Sequence, residues 1–192
     1  SANSSGAVAD IAASADGQFL RRASGALGFG AIAAGDLPAG TIVDRVFASY
    51  ATNANVGTVA IPWDDTIPQN TEGTEILTAT ITPKTTTNRL RIRFRGQFYV
   101  VGNSRTPGVA IFQDSTAGAL FASLLFQGWG TPMLGNGGIE WEFVPGSTSS
   151  TTIKIRVGVA DTTGLYLNGI DTGRSYGGVS AATLIVEEFA AS

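Results

Sequence analysis

The segment Arg89-Leu90-Arg91-Ile92-Arg93-Phe94-Arg95 alternates charge and apolar bulk without a break. An extended strand sorts such a run cleanly, because successive side chains of a strand point to opposite faces, whereas a helix would scatter the arginines around its circumference. Leu90, Ile92 and Phe94 then share one face and the four arginines the other, which describes a sheet with one dry and one wet side. Ile139, Trp141 and Phe143 alternate with Glu140 and Glu142 in the same way, and Ile153, Ile155 and Val157 with Thr152, Lys154 and Arg156. Arginines in a row repel one another. Glu140 and Glu142 have the spacing to lie beside them as cross-strand partners.

Extending this period along the chain predicts strands near 41–49, 56–61, 75–82, 89–101, 107–114, 119–127, 138–144, 151–160, 164–167 and 180–189. Turn-forming residues cluster at 85–88, 102–107, 135–138, 145–150 and 161–164. Short strands with no helical period among them make residues 41–192 an all-β domain, a β-sandwich or jelly roll. Not every strand alternates. Val109-Ala110-Ile111-Phe112 and Ala119-Leu120-Phe121-Ala122-Ser123-Leu124-Leu125-Phe126 are apolar on both faces, and 181–186 less completely so. In a two-layer sandwich one face meets the core, and the other needs a cover that a chain without helices does not supply. The expected cover is a neighbouring subunit, with Ile111, Phe112, Phe121, Leu124 and Phe126 at the contact.

Residues 1–40 differ in kind. Ala, Ser and Gly dominate, with Phe19, Leu20, Leu27, Phe29, Ile32 and Leu37 set far apart. Residues 8–13 could form a short helix, and beyond them Gly17, Gly25, Gly28, Gly30 and Gly35 recur too often for one. These residues are expected to form a stem or collar that packs on copies of itself, or else an ordered linker lying on the β domain.

Composition narrows the function. Only 14% of the residues are charged and the net charge is −3, so nothing favours a nucleic-acid partner. With no Cys and no His, the chain lacks disulfides, the usual zinc ligands and every imidazole- or thiolate-dependent catalytic group. Neither metal nor cofactor is expected. No apolar run approaches the 18 or so residues of a membrane helix, so no membrane insertion is expected. Residues 1–10 have neither the basic nor the apolar region of a secretory signal. The only methionine is Met133, so a C-terminal piece or processed product is expected.

Three segments carry a resemblance. Asp16-Gly17-Gln18-Phe19-Leu20-Arg21-Arg22, with Gly28-Phe29-Gly30-Ala31-Ile32 and Asp36-Leu37-Pro38, resembles the linkers that precede phage fibre tips. Ile61-Pro62-Trp63-Asp64-Asp65-Thr66-Ile67-Pro68-Gln69-Asn70-Thr71-Glu72-Gly73 resembles the opening of jelly-roll heads in such proteins. Ser180-Ala181-Ala182-Thr183-Leu184-Ile185-Val186-Glu187-Glu188 resembles the last strand of those trimeric heads, and more loosely of C1q- and TNF-like jelly rolls. The resemblance to phage or prophage tail-fibre C-terminal regions implies a homotrimeric tip on a virion. Such a tip is joined upstream to the rest of the fibre or tail and contacts a host-surface glycan or protein. It implies no catalytic residues.

Candidate sites follow from chemistry. Paired carboxylates are the remaining enzymatic option, at Asp64-Asp65 with Glu72 and Glu75 nearby, and at Glu187-Glu188. Adjacent acids in a turn more commonly accept hydrogen bonds from loop amides, and the chain is read as a non-enzyme. The arginine stripe could bind an anionic glycan or phosphate, or be a solvated face neutralised by Glu140 and Glu142. Trp141 is assigned to packing and Trp63 to a lid over one end of the sandwich. Two loops remain for a receptor: Trp129 among glycines at 127–132, and Tyr166, Asn168, Asp171, Arg174 and Tyr176 further on. The competing functions are a receptor-binding fibre tip, a purely structural virion part (collar, head fibre or decoration protein), a glycan depolymerase and a C1q- or TNF-like soluble ligand.

Overall fold

The computed structural model describes residues 15–23, 26–32, 36–102, 106–126, 133–162 and 164–191. Of residues 1–40 it describes a hairpin, β1 (Phe19–Ala23) with β2 (Ala26–Gly30), which forms its own two-stranded sheet. Strands were not expected there, because the glycines that argue against a helix leave a short hairpin possible. The expected helix at 8–13 lies outside the described residues. The chain joins the sandwich at 40–41, where Gly40 donates to the Ala190 carbonyl and Ala190 donates to that of Thr41.

The strands after this point are β3 (Ile42–Tyr50), β4 (Ala54–Asn55), β5 (Thr74–Ile81), β6 (Arg89–Val100) and β7 (Gly108–Gln113). They continue with β8 (Phe121–Leu124), β9 (Met133–Phe143), β10 (Thr151–Gly158), β11 (Leu165–Leu167), β12 (Gly169–Ile170), β13 (Gly173–Arg174) and β14 (Ala182–Phe189). One sheet has the order β5-β10-β7-β8. In the other, β6 carries β9 along one edge, and β14 followed by β11 along its other edge; β3 and β4 lie outside these. Among the eight main strands the first pairs with the last (β3 with β14), and then β5 with β10, β6 with β9 and β7 with β8. Two further pairings, β14 with β6 and β10 with β7, roll this folded-back ribbon into two sheets. That is a jelly-roll β-sandwich, as the strand pattern predicts.

The core lies between the sheets. Leu90, Ile92, Phe94 and Phe98 of β6 and Leu184 and Val186 of β14 are fully buried on one side. Ile153, Ile155 and Val157 of β10 and Val109 and Ile111 of β7 are buried on the other. The segment 135–138, expected as a turn, instead continues β9 opposite Arg95–Phe98 of β6 by register. Its glycines have a packing reason: a Cβ at Gly135 would stand 3.0 Å from the Phe126 ring, and one at Gly137 2.7 Å from Leu125. Small residues here let the chain leaving β8 tuck its apolar side chains into the core.

The cover expected from a neighbour is supplied in part by the chain itself. Ile111 faces the core, and Phe112, on the outer face with Ala110, is buried beneath Ile61 and Ala119. Phe126 packs against the core, and Phe121 stacks on Trp141 with ring centroids 4.7 Å apart. Of the five residues assigned to a subunit contact, Leu124 alone is exposed, at 43%. Residues 57–73, expected in part as a strand at 56–61, form the covering loop. Ile61 donates to the Val159 carbonyl, Gly73 to that of Ala60, and Gln69 bridges to Gly118. Arg156 holds the loop's end: its Nε and Nη2 donate to the carbonyls of Glu72 and Gly73 at 2.7 and 2.8 Å, beside Glu75.

Polar groups close the far end of the sandwich. Glu188 is fully buried, and its Oε1 accepts from Asn88 Nδ2 at 2.6 Å and the Lys84 amide at 2.7 Å. Asn88 in turn accepts from the amide of Ala191, and Lys84 Nζ pairs with Asp44 at 2.9 Å. The Lys84 ammonium, hydrogen-bonded to Asp44, holds that carboxyl below its ordinary value of 3.8. A carboxyl lowered on folding contributes stability that is present above its unfolded value and lost as pH falls through the lower folded one.

Two predictions follow from this packing. A Cβ at Gly158 would stand 2.9 Å from both the Ile61 nitrogen and the Val59 oxygen, whereas one at Gly173 meets nothing within 4 Å. Gly158→Ala should cost about 1–3 kcal/mol in urea unfolding, as overpacking against backbone does, and Gly173→Ala should stay within about 0.5 kcal/mol. In Lys84→Met the Asp44 carboxyl, followed by NMR, should titrate closer to 3.8, and acid unfolding should depend less steeply on pH in that region.

Candidate functional site

Antiparallel pairing decides which connections share an end. Tyr50 lies opposite Ala182, Val100 opposite Met133 and Leu165, and Gly158 opposite Gly108, which lies opposite Leu124. The connections from β3 to β5, β6 to β7, β8 to β9 and β10 to β14 therefore leave from one end. Both loops that sequence reasoning assigned to a receptor belong to this set. Trp129 lies outside the described residues.

The connection from β10 to β14 is rigidly built. Asn168 is buried, with a left-handed backbone (φ 60°), and its Nδ2 donates to the carbonyls of Tyr50 at 2.6 Å and Thr52 at 3.2 Å. Its role is to tie this loop to the end of β3, so its amide does not reach a ligand on the surface. Expected at a receptor-binding surface, the residue is buried here and bonds the chain itself. Sequence reasoning could not separate the two, because the side chain that bonds a receptor bonds a carbonyl equally well. Gly169 follows where a Cβ would stand 2.4 Å from the Gly173 oxygen, and Asn53 Nδ2 donates to Ile170 at 2.8 Å. On this base β12 and β13 form a small hairpin whose turn exposes Asp171, and Arg174 is exposed beside it.

The chain then turns sharply. Tyr176, Gly177 and Gly178 have φ of 50°, 65° and 93°, three successive residues in the left-handed region. Glycine adopts that region freely, whereas for tyrosine it costs roughly 1–2 kcal/mol. The turn leaves Tyr176 77% exposed and Val179 86% exposed. Beneath it, Ala51, Thr52, Asn53, Gly173, Arg174 and Gly178 line a cleft of about 510 Å³. Tyr166 lies apart, half-buried on the outer face of its sheet, its ring 6.2 Å from that of Tyr99. Sequence reasoning missed Val179 and Asn53. No local signal marks the valine, and Asn53 is recognisable only once the loop it bonds is in place.

The covering loop presents a second set of groups. Trp63 is 68% exposed, and Asp64, Asp65 and Thr66 line a cleft of about 410 Å³ against Leu120 and Phe121. Asp64 Oδ1 accepts the amide of Thr66 at 2.9 Å and its hydroxyl at 2.5 Å, which lowers its pKa. Glu72 accepts the Gln69 amide and Glu75 pairs with Arg156. Glu187 and Glu188 point to opposite faces, one to Arg93 and Arg45 and the other into the sandwich. Glu187 and Glu188 thus do not converge on one substrate position as a glycosidase pair must. Among the described residues no group of three acids is placed to hold a metal ion. No described helix is long and apolar enough to cross a membrane.

The arginine stripe meets acid as its spacing predicts. Arg91 pairs with Glu142 and Glu140, Arg89 with Glu142, and Arg93 with Glu187 at 2.8 Å. Glu142 holds the Arg91 guanidinium firmly protonated.

No protein-family model matches this chain, and no curated protein sequence matches it. Solved structures similar to it include a sugar-binding protein described as the EclA C-terminal domain, at 12% identity over 66% of this chain and 76% of that one, with a TM-score of 0.30. Two others come from infectious bursal disease virus. The chain of the Gt strain is 11% identical over 91% of this chain and 42% of that one, with a TM-score of 0.36. The chain of the T13 viral particle is 12% identical over 91% and 40%, with a TM-score of 0.37. This chain spans about two fifths of the length of either viral chain. At these TM-scores the fold assignment rests on the strand order alone.

The two tip residues should separate cleanly by mutation. Asn168→Ala removes two hydrogen bonds and puts a Cβ residue without a local partner at φ 60°. It should cost about 2–3 kcal/mol in chemical denaturation, whereas Tyr176→Ala, at an exposed side chain, should leave the melting temperature nearly unchanged.

Proposed function

We propose that the chain is the head of a virion fibre tip, a homotrimer that holds a host-surface receptor, glycan before protein, by the loops at the β12–β13 end of the jelly roll. The observation that carries this is Tyr176, a tyrosine kept exposed at an unfavourable backbone angle in the turn whose Gly178 lines a cleft together with Arg174. Strained backbone persists where the surrounding structure over-determines it, and it clusters at binding sites. A tyrosine face covers the apolar side of a sugar ring, and Arg174 and Asp171 offer hydrogen bonds to its hydroxyls. Residues 1–40 serve as the stem that joins the head to the rest of the fibre. Leu124, with Phe121 and Trp141 on the free edges of β8 and β9, gives the subunits an apolar contact.

One aromatic platform with a few hydrogen bonds gives about millimolar affinity, near −4 kcal/mol. Three symmetric copies raise it through effective concentration. Binding of the full chain to a glycan array is the test, with mass by light scattering on the same samples. Tyr176→Ala and Arg174→Ala should each reduce glycan binding at least about tenfold while leaving the mass of three chains unchanged. A chain that is trimeric but binds neither glycan nor host cells would be a structural virion part instead. A monomer would overturn the assembly.

A further inference from the structure

One arginine of the stripe on β6 does not meet acid. Arg91 lies across from Glu142 and Arg93 across from Glu140, but Arg95 lies across from Gly138. On its other side Arg95 has Thr183, at the level where Arg91 has Glu187. The gap on β9 is structural, because a Cβ at Gly138 would stand 2.4 Å from the Phe94 oxygen and 3.1 Å from Arg95 Cγ. Among the described residues Arg95 has no ion pair and is exposed, while Arg89, Arg91 and Arg93 are all paired.

Arg95 lines two adjoining clefts. One, of about 360 Å³, includes Arg93 and Glu140; the other, of about 300 Å³, includes Gln97, Asn136 and Ser180. Both are at the small end of the size range of ligand sites, about 300–1,000 Å³. In the second cleft the lining is neutral and polar: two side-chain amides and a hydroxyl, over Gly96 and Gly137. Such groups both donate and accept, which suits sugar hydroxyls, while a guanidinium fork suits a carboxylate. Ser180 Oγ already hydrogen-bonds Gln97 Oε1 at 3.2 Å, so the two are oriented together. The Nε of Arg93 is buried and has no acceptor, a further donor beside the first cleft.

We propose that Arg95 binds the carboxylate of an acidic sugar residue of the uronic or sialic class, with Asn136, Gln97 and Ser180 taking its hydroxyls. This site goes beyond the Tyr176 surface and is independent of it, since it requires neither Tyr176 nor Arg174.

The test is an NMR titration of the full chain with sodium glucuronate, glucose and sodium acetate in parallel. Glucuronate should shift the amides around Gln97, Asn136 and Ser180 with about millimolar affinity. Glucose and acetate should each bind at least about tenfold more weakly, since each lacks half of the contacts. Arg95→Gln should weaken glucuronate at least about tenfold, and Arg91→Gln, whose guanidinium is already paired, should not. Acetate binding as tightly as glucuronate would overturn the sugar in favour of a bare anion site. An unchanged affinity in Arg95→Gln, or no shift with glucuronate, would overturn the site altogether. If glucuronate is silent and Arg95→Gln lowers the mass by light scattering, the guanidinium serves a contact between copies of the chain.

Discussion

The pairing of β6 with a strand along each of its edges is the constraint on which the rest of the molecule depends. Twelve residues long, β6 holds β9 on one side and β14 with β11 on the other. Its inner side chains, Leu90, Ile92, Phe94 and Phe98, are fully buried in the core. Three of its four outer arginines, Arg89, Arg91 and Arg93, are paired with glutamates of the neighbouring strands, so the same register that buries the apolar face pairs most of the charged one. A slip of one residue would put arginine in the core and leucine in water, which is why this register is so strongly specified.

The sandwich meets a difficulty common to helix-free domains, since each sheet has an outer face to cover. On the narrower sheet the solution is a loop. Ile61 and Ala119 lie over Ala110 and Phe112, and Arg156 fastens the loop through two carbonyls. Glycines at 73 and 158 allow the backbone to approach that closely. Covering Phe112 from within the chain moves the remaining apolar exposure to the free edges and loops, where Trp63, Ile67 and Leu124 lie. The apolar surface left exposed is therefore different from the one that strand hydrophobicity alone suggests.

The proposed binding surfaces are exceptions to local rules that hold elsewhere in the chain. Tyr176 takes a backbone angle that favours glycine, and Arg95 is the member of its stripe that faces glycine where its neighbours face glutamate. Both depart from local consistency without a visible gain in stability, and such departures concentrate at functional sites. Asn168, also left-handed, is the instructive contrast: its Nδ2 is taken up by the carbonyls of Tyr50 and Thr52, at and just beyond the end of β3.

Alternation by itself determined the strands at 89–95, 139–143 and 152–157, which face was dry, and that Glu140 and Glu142 would answer the arginines. These follow from a period of two and from charge, both local properties. Absent Cys and His likewise bounded the chemistry before any folding was considered. Tertiary structure decided what local pattern cannot carry. Gly135–Gly137 reads as a turn until Leu125 and Phe126 arrive from another strand and require the space. Ile111 and Phe112 read as subunit contacts until a loop some fifty residues earlier in sequence is seen to cover Phe112. Asn168 reads as a binding residue until the end of β3 comes within hydrogen-bonding reach. In the last two cases the missing term is a contact between residues far apart in the chain, and such contacts exist only once the strands have been rolled together.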